Sequence, residues 1–300
     1  MFVITGATGN TGRVIAEKLL TQGEKVRVIG RDTGRLARLV TKGAEAFTAD
    51  ITDATALTKA LSGATAVYAM VPPNIASSDP RGYQEKVSDA LARALGQAHI
   101  THAVVLTSVG ADKASKTGPV TGLHNLEQKL NAVAGLNAVY LRAGYFMENL
   151  LPQVDVIRNF GMVGGPLRPD LRVPMIATRD IGAAAAEILR KRDFTGKQSR
   201  ELLGQRDLDY KEITSVIGEA IGKPGLAYSQ LPPQQLKPAL TQMGMSAPMA
   251  DLLLEMAEAL NSGYMVALER RSKENTTPTS IEAFVAEVFV PRFQGKAARA

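Results

Sequence analysis

Short apolar runs alternate, through the first half of the chain, with longer stretches in which apolar residues recur every three to four positions. The runs are rich in β-branched residues, which predicts buried strands, and the stretches at 89–97 and 124–134 have the spacing of amphipathic helices. Such an alternation predicts a parallel sheet covered on both faces, a doubly wound α/β fold of the Rossmann type. The predicted strands are Phe2–Thr5, Lys25–Gly30, Ala44–Asp50, Ala66–Val71, His102–Ser108 and Asn137–Arg142.

The turn after the first strand reads "TGATGNTG" and places Gly6, Gly9 and Gly12 three residues apart. Glycine permits a sharp strand-to-helix turn and lets a ligand approach bare backbone. The N–H groups of such a turn and of the helix that follows bind an anion, and between a strand and a helix this motif predicts the pyrophosphate of a dinucleotide. The candidate cofactor-binding residues of the turn are Gly6, Thr8, Gly9, Asn10, Thr11 and Gly12.

The end of the second strand, "VIGRD", indicates which dinucleotide binds. Arg31 stands where a guanidinium meets a 2′-phosphate, and Arg35 follows one helical turn later as a second cation. Arginine pairs bidentately with phosphate, so the sequence favours NADP(H). Asp32 follows at once and keeps NAD(H) open as the alternative, because NAD-binding proteins place an acid here.

Two further strand ends face the predicted cofactor. Asp50 ends the third strand and is a candidate partner of the adenine amino group, with helix capping as its alternative role. Met70, Val71 and Pro72 end the fourth strand, where the loop is expected to run beside the ribose and pyrophosphate, although proline there can simply stop the strand.

Beyond about residue 150 the alternation loosens into Gly/Pro-rich loops and helices. We predict two domains, a dinucleotide-binding domain at 1–152 and a smaller, mostly helical substrate domain at 153–300, with a boundary that is not sharp because strands can return to the first domain. "SRELLGQ" is a candidate for one more strand, and Asp180 is a candidate N-cap of the helix that follows it. The last residues, 294–300, are predicted to fray.

The composition narrows the classes of function. The chain of 300 residues is 45% apolar and 21% charged, has no cysteine and contains no run of eighteen apolar residues, so we expect no disulfide, thiolate metal site or membrane span. No histidine-carboxylate cluster has metal spacing, so no metal is expected. The net charge is +6, but the basic residues are scattered among acidic ones and tryptophan is absent. Direct nucleic-acid binding is therefore not expected. A strand at residue 2 leaves no room for a signal peptide, and we expect a cytoplasmic location.

Several stretches resemble one family. "TGATGNTG", "VIGRD", "ADITD" and "LRAGYFMENLL" are similar to the NmrA-like group of atypical short-chain dehydrogenases, and the resemblance covers nearly the whole chain. It implies one of two activities. Some members are NADPH-dependent reductases of quinones, azo dyes, triphenylmethane dyes or phenylpropanoids, whereas others bind the dinucleotide without turnover and report redox state to transcriptional machinery.

The catalytic residues of the ordinary short-chain dehydrogenases are missing. None of the seven tyrosines has a lysine four residues later, so the usual Tyr-x-x-x-Lys proton relay is absent. His124 is a candidate proton donor, and its alternative role is a hydrogen bond to a loop. Thr107 and Ser108 end the fifth strand, where a hydroxyl could hold the nicotinamide carboxamide, polarise a substrate oxygen or only satisfy local backbone.

The residues after the sixth strand are expected to form the wall of the nicotinamide pocket. Gly144, Tyr145 and Phe146 are candidate cofactor contacts, while Tyr145, Met147 and Asn149, with Ser108, are candidate substrate contacts. An aromatic, methionine-rich wall suits a flat apolar acceptor, although the same residues could be core.

The sequence therefore predicts an NADPH-dependent oxidoreductase that transfers hydride to a quinone-like, azo or other flat apolar acceptor. The alternative is a non-catalytic NAD(P)(H)-binding redox sensor with a protein partner, and the missing relay is the feature that supports it. An isomerase, dehydratase or sugar-nucleotide enzyme is a weaker third alternative, and self-association into a homo-oligomer is open.

Overall fold

The central feature of the computed structural model, which describes residues 1–295, is a seven-stranded parallel sheet. The strands of the protein are β1 (Phe2–Ile4), β2 (Val26–Gly30), β3 (Glu45–Thr48), β4 (Ala66–Ala69), β5 (His102–Ser108), β6 (Asn137–Ala143), β7 (Tyr145–Phe146), β8 (Val163–Gly165), β9 (Val173–Ile176), β10 (Lys197–Leu202), β11 (Asp207–Leu208) and β12 (Tyr228–Gln230). The large sheet has the order β10-β6-β5-β4-β1-β2-β3, whereas β11-β9-β7 and β12-β8 form two small sheets.

Helices follow most of the strands and cover both faces of the large sheet. They are α1 (Asn10–Thr21), α2 (Thr33–Val40), α3 (Ala54–Leu61), α4 (Pro80–Gln97), α5 (Val120–Asn131), α6 (Gln153–Phe160), α7 (Thr178–Lys191), α8 (Tyr210–Ala220), α9 (Pro233–Gln242), α10 (Ala247–Asn261), α11 (Ile281–Phe284) and α12 (Val290–Phe293), with a 3₁₀ turn at Met147–Leu150 and a π turn at Val285–Phe289. The predicted fold class is therefore confirmed.

The strand order reverses at β1, between β2 on one side and β4 on the other. Ligands of doubly wound sheets bind outside the carboxyl ends of the strands at such a switch point. The glycine-rich turn leaves β1 at this place. The strand order alone therefore places the predicted cofactor site at the carboxyl end of β1.

Apolar side chains fill both faces of the sheet. Ile15 of α1 and Ile181 of α7 are fully buried on one face, and Leu57, Leu91 and Leu126 of α3, α4 and α5 are fully buried on the other. Each helix contributes one apolar stripe, which is the pattern that predicted this fold.

The segment after residue 152 forms most of a second core, to which Ala111, Val120, Met147 and Leu150 also contribute, and it returns once to the large sheet. α8, α10 and the turns at 281–289 pack around β8 and β9. By contrast, α7 packs on α1, and β10 pairs in parallel with β6, from Lys197 beside Ala138 to Leu202 beside Ala143. The strand predicted at "SRELLGQ" is thereby confirmed, and the boundary between 152 and 153 stays a prediction.

The start of α7 differs from the expectation. Ala177, not Asp180, is its N-cap residue, and the predicted cap was wrong. The Asp180 carboxylate instead accepts hydrogen bonds from the backbone N–H (2.9 Å) and hydroxyl (2.8 Å) of Thr279. The Thr178 N–H donates to Glu148, at 3.0 Å, a carboxylate thirty residues earlier that local sequence cannot reveal as a cap.

Within residues 1–295, no helix combines the length and the apolar character needed to cross a bilayer, and no three histidine, aspartate or glutamate side chains are grouped to hold a metal ion. The tail predicted to fray at 294–300 lies, from residue 296 onwards, outside the described residues.

Candidate functional site

Of the three glycines in this turn, only Gly9 is not required by the fold itself. Gly6 has a φ of +60°, and a Cβ on Gly12 would lie 2.4 Å from the Gly6 carbonyl oxygen, so both must be glycine. Gly9 is exposed, has extended backbone and would bring a Cβ only to 3.2 Å from that oxygen. Its bare backbone leaves the N-terminus of α1, which carries no side-chain cap, open to an anion.

The remaining residues of the turn divide into an exposed pair and a buried one. Thr8 and Asn10 are exposed beside Gly9. Thr11 is buried and its hydroxyl accepts a hydrogen bond from the Tyr68 hydroxyl, at 2.9 Å. Met70 closes the turn from the end of β4, because a Cβ on Gly6 would lie 2.8 Å from its sulfur. Thr11 and Met70 therefore fix the buried side of the turn, whereas Thr8, Gly9 and Asn10 leave its other side exposed.

The charged residues after β2 have different surroundings. Arg31 and Arg35 are both exposed. Asp32 is the N-cap of α2, and its carboxylate accepts a hydrogen bond from the Gly34 N–H at 2.8 Å. The acid that kept NAD(H) open therefore has a structural role, while the two arginines face solvent.

Asp50 lies close to Arg31. Its carboxylate accepts bonds from the N–H (2.8 Å) and hydroxyl (2.7 Å) of Thr52, and these bonds, together with the Arg31 charge, lower the pKa of Asp50. Asp53, not Asp50, caps the following helix, so the capping alternative for Asp50 was wrong. Tyr83 of α4 also lies within the field of Arg31 and Asp50. Sequence reasoning missed it, because nothing local indicates that α4 reaches this point.

A cavity of about 780 Å³ lies beyond the carboxyl ends of β4, β5 and β6. The sequence-predicted residues on its wall are Met70, Val71, Pro72, Thr107, Ser108, Gly144, Tyr145, Phe146 and Asn149. The opposite wall, here called the lid, comes from the C-terminal half and includes Met249, Met256, Leu260 and Met265. His124 and Met147 are not on the wall, and neither are the glycine turn, Arg31, Arg35 and Asp50.

The lid over this cavity is held by close backbone contact. Gly118, before α5, has a φ of +57°, and a Cβ there would lie 2.0 Å from the Leu252 carbonyl oxygen of α10. The Gly118 N–H donates to the Glu255 carboxylate at 3.1 Å. The methionine-leucine side of α10 includes packed residues such as Leu252 and cavity-wall residues such as Met249 and Met256.

A buried ion pair holds the hydroxyl at the end of β5. The Thr107 hydroxyl donates to Glu127 Oε1 at 2.9 Å, and Arg142 donates to both Glu127 oxygens, at 3.1 and 2.6 Å. The hydroxyl proton is thus committed to Glu127, and the Thr107 oxygen can accept a bond from the cavity side. The Ser108 hydroxyl donates to the Val109 carbonyl at 2.9 Å.

His124 lies on α5 with its ring turned to the preceding loop. Its Nδ1 lies 2.8 Å from the Ala111 carbonyl oxygen, and in the tautomer with Nδ1 protonated it donates to that oxygen. This contact agrees with the loop-bonding alternative. The ring attaches α5 to the loop after β5, and His124 is not among the residues that line the cavity.

Tyr145 is one of the residues that line the cavity. Burial raises its pKa, and hydrogen bonding with Tyr210 and Asn149 partly offsets that effect. Tyr210 stacks on Tyr228 with ring centroids 4.4 Å apart, and the Tyr228 hydroxyl donates to the Leu167 carbonyl at 2.7 Å. A phenol with a raised pKa keeps its proton at neutral pH and can act as a hydrogen-bond donor.

The fold and the site define a Rossmann-type protein in which the chain after residue 152 closes a cavity over the strand ends. The chain belongs to the NmrA-like family, whose sequence model matches residues 1–285. It is 26% identical to an NAD(P)H azoreductase of Xenophilus azovorans, over 89% of this chain and 90% of that protein.

Two solved structures are similar in fold. An NADPH-dependent quinone oxidoreductase of Escherichia coli, complexed with NADPH, superposes with a TM-score of 0.81 at 23% identity, over 96% of this chain and 100% of that one. The negative transcriptional regulator NmrA, in complex with NADP, superposes with a TM-score of 0.66 at 16% identity, over 98% of this chain and 97% of that one.

Proposed function

We propose that this protein is an NADPH-dependent oxidoreductase that transfers hydride to a flat apolar acceptor of the quinone or azo class. The observation that carries the proposal is the cavity of about 780 Å³ at the carboxyl ends of β4, β5 and β6. Met249, Met256 and Met265, from the chain after residue 152, close it. The similarity to an azoreductase and to a quinone oxidoreductase supports an NAD(P)H oxidoreductase. When bound, NADPH supplies the hydride and the chain supplies position, shielding and protons.

The residues around the switch point fit the cofactor. The open N-terminus of α1 at Gly9 suits the pyrophosphate. Arg31 and Arg35 suit the 2′-phosphate, and the use of Asp32 as a helix cap favours NADP(H) over NAD(H). Asp50 is assigned to the adenine end.

We expect Arg31→Ala to weaken NADPH binding roughly 10- to 100-fold, the value of one or two bonds to a charged group, and to leave NADH binding unchanged within about twofold. Titration of NADPH fluorescence and of NADH fluorescence with each variant measures the two dissociation constants. Arg93→Ala, on the exposed side of α4, is the matched control and should change neither. Equal losses for both cofactors would contradict the 2′-phosphate assignment.

At the nicotinamide end we assign three roles. Thr107, oriented by Glu127, accepts a hydrogen bond from the carboxamide. Ser108 assists there or polarises the acceptor. Tyr145 donates a hydrogen bond to the acceptor atom that gains negative charge, while Phe146 and Asn149 complete the wall and the lid excludes water.

The proton donor is assigned by comparing Tyr145→Phe with His124→Ala. We expect Tyr145→Phe to lower kcat for an azo dye about 100-fold, the usual contribution of a positioned acid, and to have a much smaller effect with a quinone, whose reduced anion is stable. His124→Ala should change kcat little, because the ring faces Ala111. Since the pKa of Tyr145 lies above its ordinary value of 10.0, the phenol keeps its proton at neutral pH, and the wild-type azo rate should not fall there through loss of that proton. The reverse ranking of the two variants would assign the proton to His124.

The alternative is a redox sensor that binds the dinucleotide without turnover and reports to a protein partner, and the missing Tyr-x-x-x-Lys relay supports it. Anaerobic NADPH oxidation, followed at its near-ultraviolet absorbance against quinones and azo dyes, separates the two functions. Acceptor-dependent oxidation supports the reductase. Tight NADPH binding without any oxidation would favour the sensor.

A further inference from the structure

Ala267, Glu269, Arg270 and Arg271 lie on one rim of the cavity. The segment that contains them, 267–275, is here called the strap, and buried side chains hold its backbone. The Glu201 carboxylate of β10 accepts bonds from the N–H of Leu268 (2.9 Å) and of Glu269 (2.8 Å). Asn275 donates to the Arg270 carbonyl at 3.0 Å and accepts from the Ser272 N–H at 2.8 Å. Glu201 and Asn275 are each 3% exposed. The strap is thus a built loop with fixed geometry.

The acidic groups near the strap are already engaged. Glu269 accepts bonds from the Glu201 N–H at 3.0 Å and from Asn275 Nδ2 at 3.3 Å. Asp207 pairs with Arg271, which also donates to the Gly204 carbonyl at 2.6 Å. These carboxylates therefore have hydrogen-bond donors of their own.

The three arginines on this part of the wall differ in their partners. Arg172 donates to the Asp207 carbonyl at 2.7 Å and lies 3.4 Å from Glu212. Arg271 pairs with the Asp207 carboxylate. Arg270, in contrast, is exposed on the cavity rim, and within residues 1–295 its guanidinium has no hydrogen-bond acceptor and no carboxylate within 4.0 Å. A fixed backbone therefore presents one cation without a carboxylate partner at the rim of the cavity.

We propose that Arg270 binds an acidic substituent of the acceptor, a carboxylate, sulfonate or phosphate. The acceptor is then a flat apolar molecule with an anionic group at one end, whose body lies against Met249, Met256 and Met265 of the lid. A planar guanidinium pairs bidentately with such anions. The proposal rests on the proposed function, because it names the substrate class of the same cavity.

The test uses a carboxylated azo dye and its methyl ester, with Arg270→Gln and the control Lys273→Gln. Lys273 is 92% exposed on the same strap and is not on the cavity wall. We expect Arg270→Gln to lower kcat/KM for the carboxylated dye roughly 10- to 100-fold, through KM, and to leave the ester unchanged. Lys273→Gln should change neither. Equal losses for dye and ester, no loss for either, or a loss that follows the NADPH KM would overturn the proposal.

Binding separates this proposal from the proposed function. A naphthalenesulfonate, which cannot accept hydride, is titrated by its fluorescence against wild-type protein and Arg270→Gln. Binding that depends on Arg270 without turnover of any dye supports the anion site and contradicts the reductase. Turnover of the ester with no preference for the acid and no Arg270-dependent sulfonate binding supports the reductase and contradicts the anion site.

Discussion

Replacement of Gly9 by valine is expected to abolish NADPH binding, and with it turnover, in a protein that still folds. The backbone at Gly9 has φ −85° and ψ 174°, a conformation that any residue adopts, and the position is exposed. The isopropyl group would stand over the first turn of α1, where the N–H groups must reach a pyrophosphate. Loss of two bonds to a charged group raises the dissociation constant at least about 100-fold.

The cost to the fold should be small. A Cβ at Gly9 meets only the Gly6 carbonyl oxygen, at 3.2 Å, and valine in place of glycine at an N-cap lowers the free energy of unfolding by about 1 kcal/mol. Gly12→Ala should behave differently, because its Cβ would overlap the Gly6 oxygen at 2.4 Å, and we expect it to lose both stability and binding.

Calorimetric titration with NADPH and thermal unfolding without cofactor measure the two effects. Gly225→Val is the matched control, since nothing lies within 4 Å of a Cβ there and its φ is not in the left-handed region. It should bind NADPH like the wild type. If Gly9→Val also bound NADPH with wild-type affinity, the pyrophosphate would not lie at this turn, and the assignment of the whole cofactor site would fail.

The central strands β1, β4 and β5 of the large sheet were predictable because each is a short, mainly apolar run. Buried parallel strands need no polar face, and "HAVVLTS" became β5 with the same limits as predicted, His102–Ser108. The third strand, predicted as Ala44–Asp50, is only Glu45–Thr48. It lies at the sheet edge, where one side is unpaired and the apolar signal is diluted by exposed residues.

The candidate site was predictable where it depends on position along the chain, and not where it depends on contacts between distant segments. Strand ends were sufficient to predict that Thr107, Gly144 and Tyr145 would line one cavity. The partner of Thr107 is Glu127, on the neighbouring helix, and no local pattern pairs them. The strap was missed for the same reason, because its place at the cavity depends on contacts with Glu201, nearly seventy residues earlier.

The second large effect is expected at Glu127. Its removal in Glu127→Ala leaves the guanidinium of Arg142, whose side chain is 14% exposed, without its carboxylate, and leaves the Thr107 hydroxyl without its acceptor. Breaking a buried pair from one side costs roughly 3–5 kcal/mol, and we expect that loss in the free energy of unfolding measured with urea.

The same sheet offers a control for this loss. Arg27 of β2 pairs with Glu45 at 3.0 Å, but that carboxylate is 54% exposed. Glu45→Ala should therefore lower the free energy of unfolding by about 1 kcal/mol or less. Equal losses for Glu127→Ala and Glu45→Ala would show that burial does not distinguish the two pairs.

The double variant Glu127→Leu/Arg142→Met separates stability from orientation. Replacing both members of a buried ion pair with apolar residues of similar volume often restores stability, because no charge is left without a partner. The Thr107 hydroxyl, however, then has no carboxylate to fix its proton, and its oxygen is no longer held free for the cavity. We expect stability near that of the wild type together with a lower kcat, because the buried pair keeps one hydroxyl in one orientation. Recovery of both quantities would remove Thr107 from the proposed mechanism.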